Sequence, residues 1–216
     1  MEKRIHGLYA ITDQNLIAPK KFSAKVRQVL EGGAQVIQYR DKSQHHQLRF
    51  EQASTLVQLC DEFDAVSIIN DDIELAKTVN ADGVHIGSED DDLHFSRAQL
   101  GDEKIIGVSC YASLDLAKQA VLNSADYVAF GSIFPSPTKP QAPVAGLEVL
   151  QQAKQQLPVP IVAIGGITQD NLSTVIATGV DSVAIVSGIF SNDIAANDIS
   201  SAARHFAKAF NAKTYN

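Results

Sequence analysis

The chain has 216 residues, 45% apolar and 20% charged, with a net charge of −7. That length suits a single α/β barrel, which runs to about 200–250 residues. The acidic balance leaves no basic face for a nucleic-acid backbone. No apolar run approaches the ~18 residues of a membrane-spanning helix. An anionic small molecule would have to be met by locally placed cations. Cys60 and Cys110 have neither zinc-site nor disulfide-framework spacing. The first residues, MEKRIHGLYAIT, lack the long apolar core of a signal peptide, so a cytoplasmic location is expected.

In chain order, strand-like runs fall at 6–12, 34–40, 65–70, 83–87, 104–109, 127–133, 160–165 and 182–187. Several are continuous apolar runs, as in parallel strands covered by helices. Between them apolar residues recur at helical spacing, for example Phe22, Val26, Val29 and Leu30, or Leu172, Val175 and Ile176. Gly33 and Gly179 suit left-handed helix ends, and Ser113 and Thr168 suit N-caps, with a helix from about Gln169. The spacing predicts eight strands and eight helices in alternation, one domain over 1–216, and a C-terminal tail frayed from about 210. No clear repeat is visible. A closed barrel and an open doubly wound sheet both fit this order. The first strand ends in Thr12-Asp13 with no GxGxxG after it, which favours the (β/α)8 TIM barrel. Active sites of that fold lie at the strand C-termini.

Those strand ends carry charge and hydroxyls. After the second strand, alternation puts Gln38, Arg40 and Lys42 on one face and Tyr39 and Asp41 on the other. Two cations and an amide suit a multiply charged phosphate, unless Arg40 simply pairs with an acid. The third strand ends Asn70-Asp71-Asp72, which also reads as a helix cap. The fourth unit continues His85-Ile86-Gly87-Ser88-Glu89-Asp90-Asp91-Asp92, where acids could equally solvate a surface. Carboxylates facing a bound pyrophosphate would need a cation between, and hard oxygen ligands with phosphate oxygens describe Mg²⁺.

The sixth strand runs into GSIFPSPTK, with Ser132, Ser136, Thr138 and Lys139 on a segment stiffened by Pro135 and Pro137. It is either an anion-binding loop or an ordinary exposed one. Gly165-Gly166 after the seventh strand and Ser187-Gly188 after the eighth fall at the usual phosphate position of the barrel. The residues thus suggest two anion sites, one cationic with metal and one of glycines and hydroxyls. His45 and His46 read as surface, His85 as a core or near-site histidine, and Cys110 as no nucleophile. No nucleophile–base pair stands out.

The segments GLYAITD, QYRDKS, INDD, ADGVHIGSED, GVSC, DYVAFGSIFPSPTK, AIGGI and AIVSGIF, in this order and spacing, resemble the thiamine phosphate synthase family over about residues 7–190. The resemblance implies a transferase that condenses 4-amino-5-hydroxymethyl-2-methylpyrimidine pyrophosphate with thiazole phosphate, giving thiamine phosphate and pyrophosphate. It implies that Gln38, Arg40, Lys42, Asn70, Ser109 and Lys139, with Tyr39 and Asp41 in the same segment, hold the pyrimidine pyrophosphate. Arg40, Lys42, Ser109 and Lys139 would be the catalytic set. Ser136, Pro137, Thr138, Gly166, Val186 and Ser187 would hold the thiazole phosphate, and Asp71 and Asp90 one Mg²⁺ per subunit. Ser88 stands where the family often has glutamine, and Ser136 where it often has threonine. An isomerase relative and a non-catalytic thiamine phosphate sensor are the rival readings; the full set of Arg40, Lys42, Asp71, Asp90 and Lys139 favours the synthase. The expected partners are small phosphorylated substrates, with no nucleic acid and no membrane. The sequence leaves the oligomeric state open, a homo-oligomer included.

Overall fold

The computed structural model describes residues 4–87, 93–135, 143–191 and 198–211. Eight strands, β1 (Gly7–Ile11), β2 (Val36–Tyr39), β3 (Val66–Asn70), β4 (Gly83–Ile86), β5 (Ile105–Ser109), β6 (Tyr127–Phe130), β7 (Ile161–Ile164) and β8 (Ser182–Ile185), pair in parallel in chain order. The sheet closes where β8 meets β1, with Leu8 opposite Val183. This is a single-domain (β/α)8 barrel. The helices are α1 (Phe22–Glu31), α2 (His46–Glu62), α3 (Ile73–Thr78), α4 (Leu93–Leu100), α5 (Leu114–Leu122), α6 (Glu148–Gln156), α7 (Leu172–Ala177), α8 (Ser187–Phe190) and α9 (Ile199–Asn211).

Period-two alternation divides each strand between two cores. Leu8, Ile37, Ile69, Val84, Val108, Phe130 and Val183 face the helices. Tyr9, Val36, Ile68, Tyr127, Val162 and Ala184 fill the barrel interior. On α1 the buried residues are Phe22, Val26, Val29 and Leu30, one stripe along the helix. Each such burial contributes about 1.5–3 kcal/mol, enough to hold a short helix that would be marginal alone.

Four helices end in the same way. Ala34, Ala65, Ala81 and Ala125 donate their N–H groups to the carbonyls of Val29, Cys60, Ala76 and Ala120. The preceding residue in each case has positive φ: Gly33, Asp64, Asn80 and Ser124. These are Schellman caps, and the buried alanine after each is small enough to sit between helix and strand. The residue before each of β4, β6 and β8 repeats a second device. Asp82 Oδ2 accepts from the Ser67 N–H, Asp126 Oδ2 from the Ile106 N–H and Asp181 Oδ2 from the Ile161 N–H, all within 2.8 Å. Arg97 and Lys154 clamp the second and third of these carboxylates. The structure thus reveals a repeat at the strand N-termini, spread over only two or three residues per unit.

Several boundaries differ from expectation. The sixth strand ends at Phe130 rather than 133. Ile133 and Phe134 are apolar because they pack as loop, donating their N–H groups to Ile164 and Gly165 carbonyls. Ser113 caps α5 through the Leu116 N–H, but Thr168 caps nothing. Instead its own N–H donates to Asn171 Oδ1, Asn171 Nδ2 donates to the Gly166 carbonyl, and α7 starts only at Leu172. Among the described residues past β8 there are two helices rather than one, the single turn α8 and then α9, which continues to Asn211. Residues 212–216, most of the expected frayed tail, lie outside the described residues.

Candidate active site

The last inward-facing residue of each strand decides the chemistry of the barrel mouth. On β2 to β5 these residues are Gln38, Asn70, His85 and Ser109, all polar. Around the rest of the ring they are Ala129, Ile164, Ala184 and Ile11, all apolar. One half of the mouth is therefore a hydrogen-bonding wall and the other an apolar one.

Inside the polar half, side chains form a continuous chain. Gln38 Nε2 donates to Tyr9 Oη at 2.7 Å, and Tyr9 Oη lies 2.9 Å from Tyr127 Oη. Tyr127 Oη is 2.9 Å from His85 Nδ1, and His85 Nε2 is 2.9 Å from Ser109 Oγ. The His85 ring stacks on Tyr127 with centroids 5.5 Å apart. Gly107 makes room for this, since a methyl there would overlap the Tyr127 ring. Burial lowers the His85 pKa to about 4 and raises both tyrosine hydroxyls well above their usual range. The floor of the mouth is neutral throughout.

Charge sits above this floor, at the rim. Thr12 Oγ1 accepts from the Arg40 N–H at 3.0 Å, fixing the chain as it leaves β2. The Arg40 guanidinium is 3.8 Å from Asp13, a loose pairing that leaves it able to meet another anion. Lys42 Nζ lies 3.3 Å from Asp71 Oδ2. Asn70 Nδ2 donates to the same Asp71 oxygen at 2.6 Å, and Asp71 has a φ of 63°. A non-glycine residue in that region costs stability and is worth notice at a strand end. The helix-capping role falls to the next residue, Asp72, which accepts from the Leu75 N–H and pairs with Arg49 at 2.6 Å. Asn70 and Asp71 are thereby released from capping. Beside them opens a recess of about 480 Å³ lined by Asp41, Lys42, Arg49, Asn70, Asp71 and Phe95.

Across the mouth, Gly165 and Gly166 both have positive φ. A Cβ on Gly166 would stand 2.6 Å from the Pro135 carbonyl oxygen and 2.7 Å from that of Phe134, so only glycine fits this close approach. Val186 precedes α8, and Ser187 opens it. The first N–H groups of that turn have no partners within the helix, and in this fold a short extra helix there commonly meets phosphate.

Not every expected site residue points into the mouth. The Tyr39 side chain is buried on the helix side, edge-on to Phe22, with its hydroxyl donating to Gln52 at 3.1 Å. Asp41 accepts from the Ser43 N–H at 2.7 Å and contributes to the recess wall. Alternation along β2 accounts for both: Gln38 turns inward, so Tyr39 must turn out. Asp90, Ser136, Pro137, Thr138 and Lys139 lie outside the described residues. Cys110 is buried with its thiol pushed up to about 12, which makes it inert. Sequence reasoning overlooked Tyr9 and Tyr127; the available signal was a tyrosine at an inward position of an otherwise aliphatic strand. Among the described residues, no helix is long and apolar enough to cross a membrane.

Comparison with known proteins points to one family. A family model described as "Thiamine monophosphate synthase" matches residues 8–189. A thiamine-phosphate synthase of Acidithiobacillus ferrooxidans is 47% identical over 210 residues, covering 96% of this chain and 95% of that protein. One from Thioalkalivibrio sulfidiphilus is 47% identical over 188 residues, covering 87% of this chain and 89% of that protein. The solved thiamine phosphate pyrophosphorylase of Pyrococcus furiosus superposes with a TM-score of 0.85 at 37% identity, covering 95% of this chain and 96% of that one.

Proposed function

Since the chain belongs to the thiamine monophosphate synthase family, we infer that it is a transferase joining hydroxymethylpyrimidine pyrophosphate to thiazole phosphate, with release of pyrophosphate. The observation that carries this reading is the stacking of functions at the mouth. A neutral hydrogen-bonding floor ending in Gln38 and Ser109 lies beneath a rim bearing Arg40, Lys42 and Asp71. A neutral ring with a charged pyrophosphate tail needs those two environments next to each other.

In this reading the ring lies on Gln38 and Ser109, and its pyrophosphate reaches the Arg40 and Lys42 cations and the Asn70 amide. Lys139 would add a further cation to the pyrophosphate. Tyr39 acts through its backbone position between Gln38 and Arg40, and Asp41 through the wall of the recess. The thiazole phosphate takes the opposite rim, at Gly166, Val186 and Ser187; Ser136, Pro137 and Thr138 are assigned to it by the family resemblance alone. Asp71 suits a hard cation. Its carboxylate is already aligned by the Asn70 amide and faces the Lys42 ammonium. With Asp90 it would hold Mg²⁺, which when bound adds positive charge at the pyrophosphate oxygens.

The reaction needs no base. The carbon–oxygen bond to pyrophosphate breaks with its electron pair leaving on oxygen, and the thiazole nitrogen lone pair forms the new carbon–nitrogen bond. The aminopyrimidine can stabilise a methylene cation between these events. Arg40, Lys42 and Lys139 stabilise the departing charge, and the apolar half of the mouth keeps water from capturing the cation. The buried thiols Cys60 and Cys110 suit a reducing, cytoplasmic setting. Incubating the protein with both substrates and Mg²⁺ tests the reading: thiamine phosphate should accumulate only when all are present. Its absence from the complete mixture would refute it.

A further inference from the structure

The chain from Gln38 to Ser109 has a direction. Gln38 Nε2 donates to Tyr9 Oη, so the single Tyr9 hydroxyl hydrogen is left for Tyr127, its other partner at 2.9 Å. Tyr127 then holds one accepted bond, and its own hydrogen is left for His85 Nδ1. A neutral imidazole that accepts at Nδ1 carries its proton on Nε2, so His85 donates to Ser109 Oγ. With Gln38 donating, any other assignment leaves a hydroxyl hydrogen without an acceptor on tyrosines that are 0–1% exposed. That is costly in a buried site, whereas a complete chain strengthens each member.

We propose that Tyr9, Tyr127 and His85 are positioning residues that polarise the barrel floor in one direction, so that Gln38 presents an acceptor and Ser109 a hydroxyl donor to the bound ring. This rests on the reading that Gln38 and Ser109 meet the pyrimidine. The consequence is specificity read at two ends together. An amino group at Gln38 and an unprotonated ring nitrogen at Ser109 complete the chain at both termini. An oxo group in place of the amino group sets two acceptors face to face at Gln38. Turning the amide over relieves that clash but reverses every bond in the relay. Ser109 then spends its hydrogen on His85 and offers only its oxygen, which suits the ring N–H that an oxopyrimidine carries. The native sense of the relay therefore favours aminopyrimidine, and oxopyrimidine binds only at the cost of reversing it, a separation of about tenfold or more.

The test is the His85 tautomer in full-length protein labelled with ¹⁵N histidine, read from long-range proton–nitrogen spectra. In the native protein at neutral pH the proton is expected on Nε2; a proton on Nδ1 overturns the relay without any variant. Gln38→Glu, studied up to the pH where the introduced carboxylate ionises, can only accept from Tyr9. The proton should then move to His85 Nδ1, three hydrogen bonds away. Adding Tyr9→Phe should abolish that move, which a long-range charge effect would not predict. A tautomer unchanged by Gln38→Glu overturns the relay. Binding of the oxo counterpart of the pyrimidine pyrophosphate reads the functional half separately. If the tautomer switches but amino and oxo ligands bind equally, the relay stands, and the pyrimidine does not lie on Gln38 and Ser109.

Discussion

The Lys42 ammonium stands 3.3 Å from the Asp71 carboxylate, joining the ends of β2 and β3 across the rim of the barrel. The Lys42 side chain is 57% exposed, so the pair adds little stability. Its use is to set a cation and a hard oxygen side by side. Asp71→Asn should raise the Mg²⁺ concentration needed for half-maximal turnover and cut turnover by tenfold or more, and Asp90→Asn should do the same. Magnesium titrations of both variants check this; unchanged Mg²⁺ dependence in both would remove these residues as ligands.

The two rims should separate in binding. Arg40→Ala removes the loosely paired guanidinium and should weaken pyrimidine pyrophosphate far more than thiazole phosphate. Gly166→Val, which forces a Cβ against the Phe134 and Pro135 carbonyls, should do the reverse. Direct titrations of each ligand decide the matter, and equal weakening of both ligands by each variant would contradict two separate sites.

At the other end of the barrel the expectation is stability without function. Asp126 Oδ2 accepts both from the Ile106 N–H at 2.7 Å and from Arg97 at 2.6 Å. Asp126→Ala strands a sheet N–H and should cost about 2 kcal/mol, lowering Tm by roughly 4–8 °C. Turnover at 25 °C should be unchanged. Lost turnover with Tm intact would mean that the strand N-termini take part in catalysis.

His85 gives stability a pH dependence of definite sign. Folding lowers its pKa to about 4 from an unfolded value of 6.5. As pH falls below 6.5 the unfolded chain takes up a proton that the folded protein refuses. Stability therefore drops through the window from 6.5 to 4, by at most about 3 kcal/mol. His85→Gln, with no such group, should lose about that much less between pH 7 and pH 4 in urea unfolding. Equal losses in the two proteins would show that His85 is not held neutral by burial.

Much of this was legible in the sequence because buried parallel strands appear as apolar runs, and all eight were placed within three residues of their ends. Gln38, Arg40 and Lys42 followed from alternation along one strand. The same alternation turns Tyr39 away, which residue type alone does not reveal. The start of α7 is not legible in the sequence, because Thr168 has the residue type of a cap and only the folded chain brings the Asn171 side chain round to close the turn. The end of the sixth strand is hidden in the sequence because loop residues such as Ile133 are as buried as strand residues. Tyr9, Tyr127 and His85 meet only through the register of the closed barrel, with Tyr9 and Tyr127 separated by 118 residues in the chain. No local pattern encodes that contact.

The most direct measurement is phosphorus NMR of the protein with Mg²⁺ and both substrates. The account predicts that the pyrimidine pyrophosphate signals disappear as free pyrophosphate and the thiamine phosphate monoester appear in equimolar amounts, with no change when the protein is left out. Pyrophosphate signals that stay unchanged, or pyrophosphate released while thiazole phosphate is not consumed, would contradict it.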